Sequence, residues 1–188
     1  MSIVTKQGDK GKTAASVCGG IPVAKNASRI TAYGSIDELN SALGLVRSHN
    51  KAIWLEQILE RLQQDLFLAG ADLATPFTAK AVHTTTARIQ AKQIAYLAEQ
   101  IEQLENQLTP LRHFILPTGN PTAAALHLAR SICRRTERCC VALSDEEEIS
   151  AEILRYFNRL SDLLFLLARS VNKKAKIAEK EWHADQNL

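Results

Sequence analysis

Two stretches of this chain space their apolar residues in alternating steps of three and four: Ile94, Leu97, Ile101, Leu104 and Leu108 in one, and Ile153, Phe157, Leu160, Leu164, Leu167 and Val171 in the other. That spacing draws a stripe along an α-helix and cannot line one face of a β-strand, and such a stripe buries itself best against other helices. Helices are therefore predicted over about Arg88–Gln107 and Glu152–Asn172. Leu55, Ile58, Leu59, Leu62, Leu66 and Ala69 predict another from about Ala52 to Leu73, before Pro76 ends it. Ser35 followed by Glu38 reads as a capping box opening a first helix over Ile36–His49. Asn120 as cap and Pro121 at the first position open one more, through Leu143.

Five helices on short connections, with no convincing strand, predict an all-α fold: a five-helix bundle forming one domain over residues 1–188. Residues 1–33, rich in Gly, Lys, Ser and Thr, are expected to form an ordered loop, Thr75–Ala87 a second loop, and Lys173–Leu188 a frayed tail. The apolar run Leu111–Pro117 is too short for a helix, and the acidic run Asp145–Glu148 reads as a solvated turn.

A net charge of +3 spread along the chain does not call for nucleic acid. No apolar run reaches the ~20 residues that a membrane helix needs, and the first residues do not resemble a leader, so a cytoplasmic protein is expected. Cys18, Cys133, Cys139 and Cys140 form no C-x-x-C and are expected as reduced thiols rather than zinc ligands. Glu-x-x-His pairs, which a di-iron bundle requires, are absent, and His83, His113, His127 and His183 read as isolated surface or core residues. Neither a Ser-His-Asp triad nor a catalytic cysteine has local support.

The most informative helix is the fourth. Its turns carry His127, Arg130, Arg134, Glu137 and Arg138 onto an arc of about a third of the circumference, while Ala125, Leu128, Ile132, Cys139 and Leu143 are expected to face a core. Charged helix faces are usually solvated. Here three arginines repeat at i+4 with one acid among them, which destabilises an exposed helix unless an anion lies alongside. An anion is also suggested by Thr5–Thr13, TKQGDKGKT. It is not a Walker A loop, because Lys6 stands where the motif needs glycine and no βαβ unit surrounds it. Its glycines still let backbone N–H groups crowd toward an anion, and its lysines and threonines supply charge and hydroxyls, although a mobile basic terminus has the same composition. Asp37 suits the first turn of a helix, and Asn158 and Asp162 lie one turn apart beside the seam of the fifth, where structural hydrogen bonding competes with a role in a site.

TKQGDKGKT, RITAYGSIDELNSALGLVR (29–47), HFILPTG (113–119), ALHLARSICRRTER (125–138) and RYFNRLSDLLFLLAR (155–169) together resemble the PduO-type ATP:cob(I)alamin adenosyltransferases, in order and over nearly the whole chain. The resemblance implies a homotrimer of five-helix bundles with sites between subunits. The implied reaction moves the 5′-deoxyadenosyl group of ATP to cob(I)alamin with Mg²⁺, giving adenosylcobalamin and triphosphate. It further implies that Thr5, Lys6, Gly8, Asp9, Gly11, Lys12, Thr13 and Lys25 wrap the nucleotide and that Arg134, Glu137, Arg138 and Asn158 complete its site. Arg130 would pair with Asp37, and Phe114 would face the corrin, displacing the axial ligand to give a four-coordinate Co(II) species. A reductase and an adenosylcobalamin-dependent acceptor enzyme are the implied partners. The chain departs from the family pattern at Gln7, at Lys12 and in HFILPTGN, where FILPGG is usual. A non-catalytic ATP-binding or corrinoid-delivery module on the same scaffold is the alternative.

Overall fold

The computed structural model describes residues 9, 11–13, 23–77 and 87–183. Five helices dominate them: α1 (Ser28–His49), α2 (Ile53–Ala74), α3 (Ala91–Glu105), α4 (Pro121–Ser144) and α5 (Ala151–Lys174). Two strands of two residues each, β1 (Lys12–Thr13) and β2 (Val23–Ala24), pair antiparallel ahead of α1. Neighbouring helices pack in the order α2, α1, α4, α5, α3, so α1, α4 and α5 form the middle of the bundle. The heptad-like residues fill the core as expected: Leu39, Leu43, Leu59, Leu62, Leu97, Phe157, Leu160, Leu164 and Leu167 are all fully buried. Among the described residues no helix is long and apolar enough to cross a membrane.

α1 begins two turns earlier than the Ser35–Glu38 pattern predicts. Ser35 is no cap: its hydroxyl donates to the Thr31 carbonyl in mid-helix, and Glu38 instead pairs with Arg135 of α4. The early start is held by tertiary contacts that local spacing does not reveal. Arg29 is buried, donating to the Leu73 carbonyl at the end of α2 and to Glu147 at 2.6 Å, and Ser28 donates to Glu146 at 2.7 Å. The acidic turn after α4 is thus a clasp on α1 rather than simply solvated.

α4 opens as predicted, with the Asn120 side chain accepting from the Thr122 N–H at 2.9 Å and Pro121 at the first turn. Its buried side is wider than the expected stripe, of which Ala125 and Leu143 are buried as predicted and Ile132 and Cys139 pack against the core. Leu128 is 52% exposed and Ile132 and Cys139 are half-buried, whereas Leu126, Ala129, Cys133, Thr136 and Cys140 are buried, because α4 is packed by α1 and α5 together. Cys133, Cys139 and Cys140 are free thiols, and burial pushes Cys140 up to about 12, so it stays protonated and inert. Cys18 lies outside the described residues.

The expected tail behaves differently from a frayed end as far as His183. Arg169, buried on α5, donates to both carboxylate oxygens of Glu179 at 3.0 and 3.1 Å and to the Thr109 carbonyl at 2.8 Å. Leu116 N–H donates to the Lys180 carbonyl and Trp182 N–H to the Phe114 carbonyl, placing residues 114–116 antiparallel to residues 180–182. Breaking the shielded Arg169–Glu179 pair by truncating one partner would cost about 3–5 kcal/mol, since it strands the other charge.

Candidate functional site

Three surface features carry the residues of interest. The first is the polar stretch of α4. Arg134 and Arg138 are exposed, Arg138 donating to the Arg134 carbonyl at 3.0 Å, and Asn158 of α5 donates to the half-buried Glu137 at 3.2 Å. Arg138 also lines a small cavity with Arg135, Asn26, Ser28 and Thr31, which brings Arg138 beside the turn that follows β2. That turn contains Lys25, whose backbone N–H donates to the Gly11 carbonyl at 3.0 Å. Gly11 has φ +73°, a conformation that favours glycine, and Lys12 and Thr13 follow it in β1 with Asp9 in the turn before. Thr5, Lys6 and Gly8 lie outside the described residues.

The second feature is an aromatic cavity of about 810 Å³ lined by Leu111, Phe114, Arg130, Phe165 and Trp182, with His113 and His183 at it as well. Phe114 is 81% exposed, an unusual position for a phenylalanine. Arg130 lies over the Phe165 ring, 5.2 Å from its centroid, and partial burial together with the Arg134 charge lowers its pKa from the usual arginine value. His127, expected on the charged arc, is only 4% exposed and its ring packs against Phe165. Burial, reinforced by Arg130, holds its pKa below the ordinary 6.5, and both ring nitrogens lack a protein partner.

The third feature is a groove between α1 and α2, lined by Asp37, Gly44, Arg47, Gln63 and Phe67. Asp37 is exposed there, and Phe67 is 72% exposed. Within one chain Asp37 and Arg130 are not brought together: one lines the α1/α2 groove, the other the cavity beside α5. Asp162, weighed as a structural residue, pairs with Arg159 at 3.2 Å on the surface of α5.

The cobalamin adenosyltransferase family profile matches residues 3–171. The chain belongs to that family. It is 39% identical over 186 residues to the corrinoid adenosyltransferase of Bacillus subtilis, covering 97% of this chain and 92% of that protein. The bovine corrinoid adenosyltransferase MMAB is 38% identical over 181 residues, covering 95% of this chain and 74% of that one. Its fold superimposes, with a TM-score of 0.90 and 38% identity over 97% of this chain and 99% of the other, on a phenylalanine-to-alanine variant of the PduO-type ATP:corrinoid adenosyltransferase of Lactobacillus reuteri complexed with cobalamin and ATP. An arginine-to-lysine variant of the L. reuteri PduO-type enzyme complexed with ATP matches at TM-score 0.84 over 96% and 100% of the two chains.

Within this adenosyltransferase fold, sequence reasoning missed Phe165, Trp182 and the pairing of His113 with His183, whose rings lie 4.8 Å apart. Phe165 sits one residue past the Leu164 seam position, and a residue just off a helical seam is where a lining side chain should be sought. For Trp182 and the histidines no local signal exists, because their neighbours are created by the returning chain.

Proposed function

We propose that this chain transfers the 5′-deoxyadenosyl group of ATP to cob(I)alamin, forming a Co–C bond as the C5′–O bond breaks and triphosphate leaves with the bonding electrons. The observation that carries this reading is the adjacency, along α4, of an exposed arginine pair and an aromatic cavity with an exposed phenylalanine at its rim. The nucleophile is the reduced cobalt itself, so no general base is needed. Arg134 and Arg138, with the Gly11–Thr13 and Lys25 hairpin and the preceding Thr5, Lys6, Gly8 and Asp9, bind the nucleotide. Their N–H, hydroxyl, ammonium and guanidinium donors hold the phosphates and stabilise charge on the leaving oxygen. Glu137, a half-buried carboxylate fixed by Asn158 beside those arginines, is a fitting oxygen ligand for Mg²⁺ arriving with the triphosphate. That ion would supply further charge neutralisation on the phosphates.

Phe114 faces the corrin. It offers no donor atom to cobalt and excludes water, which suits a four-coordinate Co(II) species that is easier to reduce. Arg130 and Asp37 are a pair formed between copies, the chain acting as a homotrimer. The separate placement of their two grooves and the uncovered Phe67 beside Asp37 support this. The protein works in the cytoplasm, drawing on a reductase and supplying an adenosylcobalamin-dependent acceptor.

Mixing the protein with ATP, Mg²⁺ and chemically reduced cobalamin should give the absorbance change of Co–C bond formation, with triphosphate released in equal amount. A folded preparation that binds ATP yet shows no turnover would overturn the enzyme reading and leave a binding or delivery module.

A further inference from the structure

The paired segment that carries Phe114 also assembles three metal-ligating side chains. Cross-strand partners in it sum to the same register, Ile115 opposite Glu181, Phe114 opposite Trp182 and His113 opposite His183. In extended backbone, positions two apart share a side, so Glu181 and His183 fall together and His113 meets them from across the pairing. The structure agrees with that count. The ligand atoms of His113, Glu181 and His183 all lie within 4.8 Å of one another, His183 Nε2 being 3.5 Å from a Glu181 carboxylate oxygen. They form the one such triple of His, Cys, Asp or Glu side chains among the described residues.

Two imidazoles and a carboxylate are a ligand set for zinc and its neighbours, with M–N and M–O distances of about 2.0–2.2 Å. Such distances require donor atoms about 3–3.5 Å apart, which small side-chain rotations of three partly exposed residues can reach from the present geometry. Imidazole ligation argues against Mg²⁺ and Ca²⁺, which prefer oxygen. Two of the ligands come from the returning segment and one from the strand bearing Phe114, so a bound ion would cross-link the two.

We propose that His113, Glu181 and His183 bind one divalent transition-metal ion of the zinc class, which fastens residues 180–183 to the Phe114 strand. This is separate from any metal accompanying ATP, and it does not depend on the adenosyl-transfer reading. The link operates with the Arg169–Glu179 ion pair: that pair holds the base of the segment, and the ion holds its far end.

Calorimetric titration of the full-length, chelator-treated protein with ZnCl₂ tests the site, with CoCl₂ as an optical probe of coordination. One equivalent per chain should bind, and His113→Ala and His183→Ala should each weaken binding at least tenfold, with unchanged helical circular dichroism. Glu181→Gln should weaken it less. Hydrogen exchange at the Trp182 and Leu116 amides, which bond across the pairing, should slow on adding Zn²⁺ to the parent protein and not to His183→Ala. Binding unaffected by both histidine variants, or absent at millimolar Zn²⁺, would overturn the site. Binding with unaltered exchange at those amides would overturn the fastening.

Discussion

Arg130 and Arg134 are neighbours on one face of one helix, a single turn apart, and the fold treats them in opposite ways. Arg130 is half-buried over the Phe165 ring with a lowered pKa, while Arg134 is exposed and offers its guanidinium to solvent. What separates them is the helix alongside. α5 runs antiparallel, so moving one way along α4 meets Phe165 and moving the other meets Asn158, which holds Glu137. A repeat of like charges on a helix is therefore not one feature: each member takes its chemistry from the residue that the neighbouring helix presents.

If the exposed half of α4 binds the triphosphate, Arg134→Ala should lower kcat/KM for ATP by about 10²-fold or more, the usual scale for losing a preorganised donor to a developing anion. Steady-state kinetics at fixed cobalamin measures this, and an unchanged value would return Arg134 to the solvent. Phe114→Ala probes the other half. It should slow the reaction started from Co(II) by about tenfold while ATP binding stays near the parent value, because the loss concerns exclusion of an axial ligand and not phosphate. Equal rates from Co(II) and Co(I) in the parent and variant would remove Phe114 from that role.

The smallest effect concerns His127, at the buried end of the same face. Its folded-state pKa lies below the unfolded value, so between the two the unfolded chain binds more protons and stability falls as pH drops below about 6.5. Burial beside Phe165 and the nearby Arg130 charge both favour the neutral ring, with Glu179 opposing them weakly. Thermal melts from pH 7.5 to 5.5 should show a slope no steeper than about 1.4 kcal/mol per pH unit from this residue. His127→Phe should flatten that slope, and an identical pH dependence in the variant would place the proton elsewhere.

Helices were legible in this sequence wherever an apolar stripe was sustained over several turns. α2, α3 and α5 fall within a few residues of their expected ends, and the Asn120–Pro121 start of α4 is read from local capping chemistry alone. Local patterns misled where distant groups supplied the satisfaction: Ser35 and Glu38 look like a cap, yet Glu38 serves Arg135, and the real start of α1 depends on Glu146 and Glu147 more than a hundred residues away. The buried side of α4 was misjudged because two helices cover it, widening the arc beyond one stripe. The polar candidates on α4 and α5 were visible as residue types. The aromatic cavity was not, since Phe165, Trp182 and Phe114 come from three segments that only the returned C-terminal strand brings together.

That return depends on how α4 is started. Gly119 has φ +120°, and a Cβ there would intrude on the side-chain amide of Asn172, which is 2% exposed. The same amide accepts from the Asn120 N–H at 2.9 Å and donates to the Thr118 carbonyl at 3.0 Å, so one α5 side chain grips the turn from both sides. Gly119 is in this sense a surveyor's mark. Arg130 stands eleven residues beyond it, about 16 Å along a rigid helix, and Phe114 five residues before it. Any side chain at 119 would shift the origin from which the cavity and the arginines are both measured, so the two halves of α4 would move out of register with Phe114 without a single lining residue being changed.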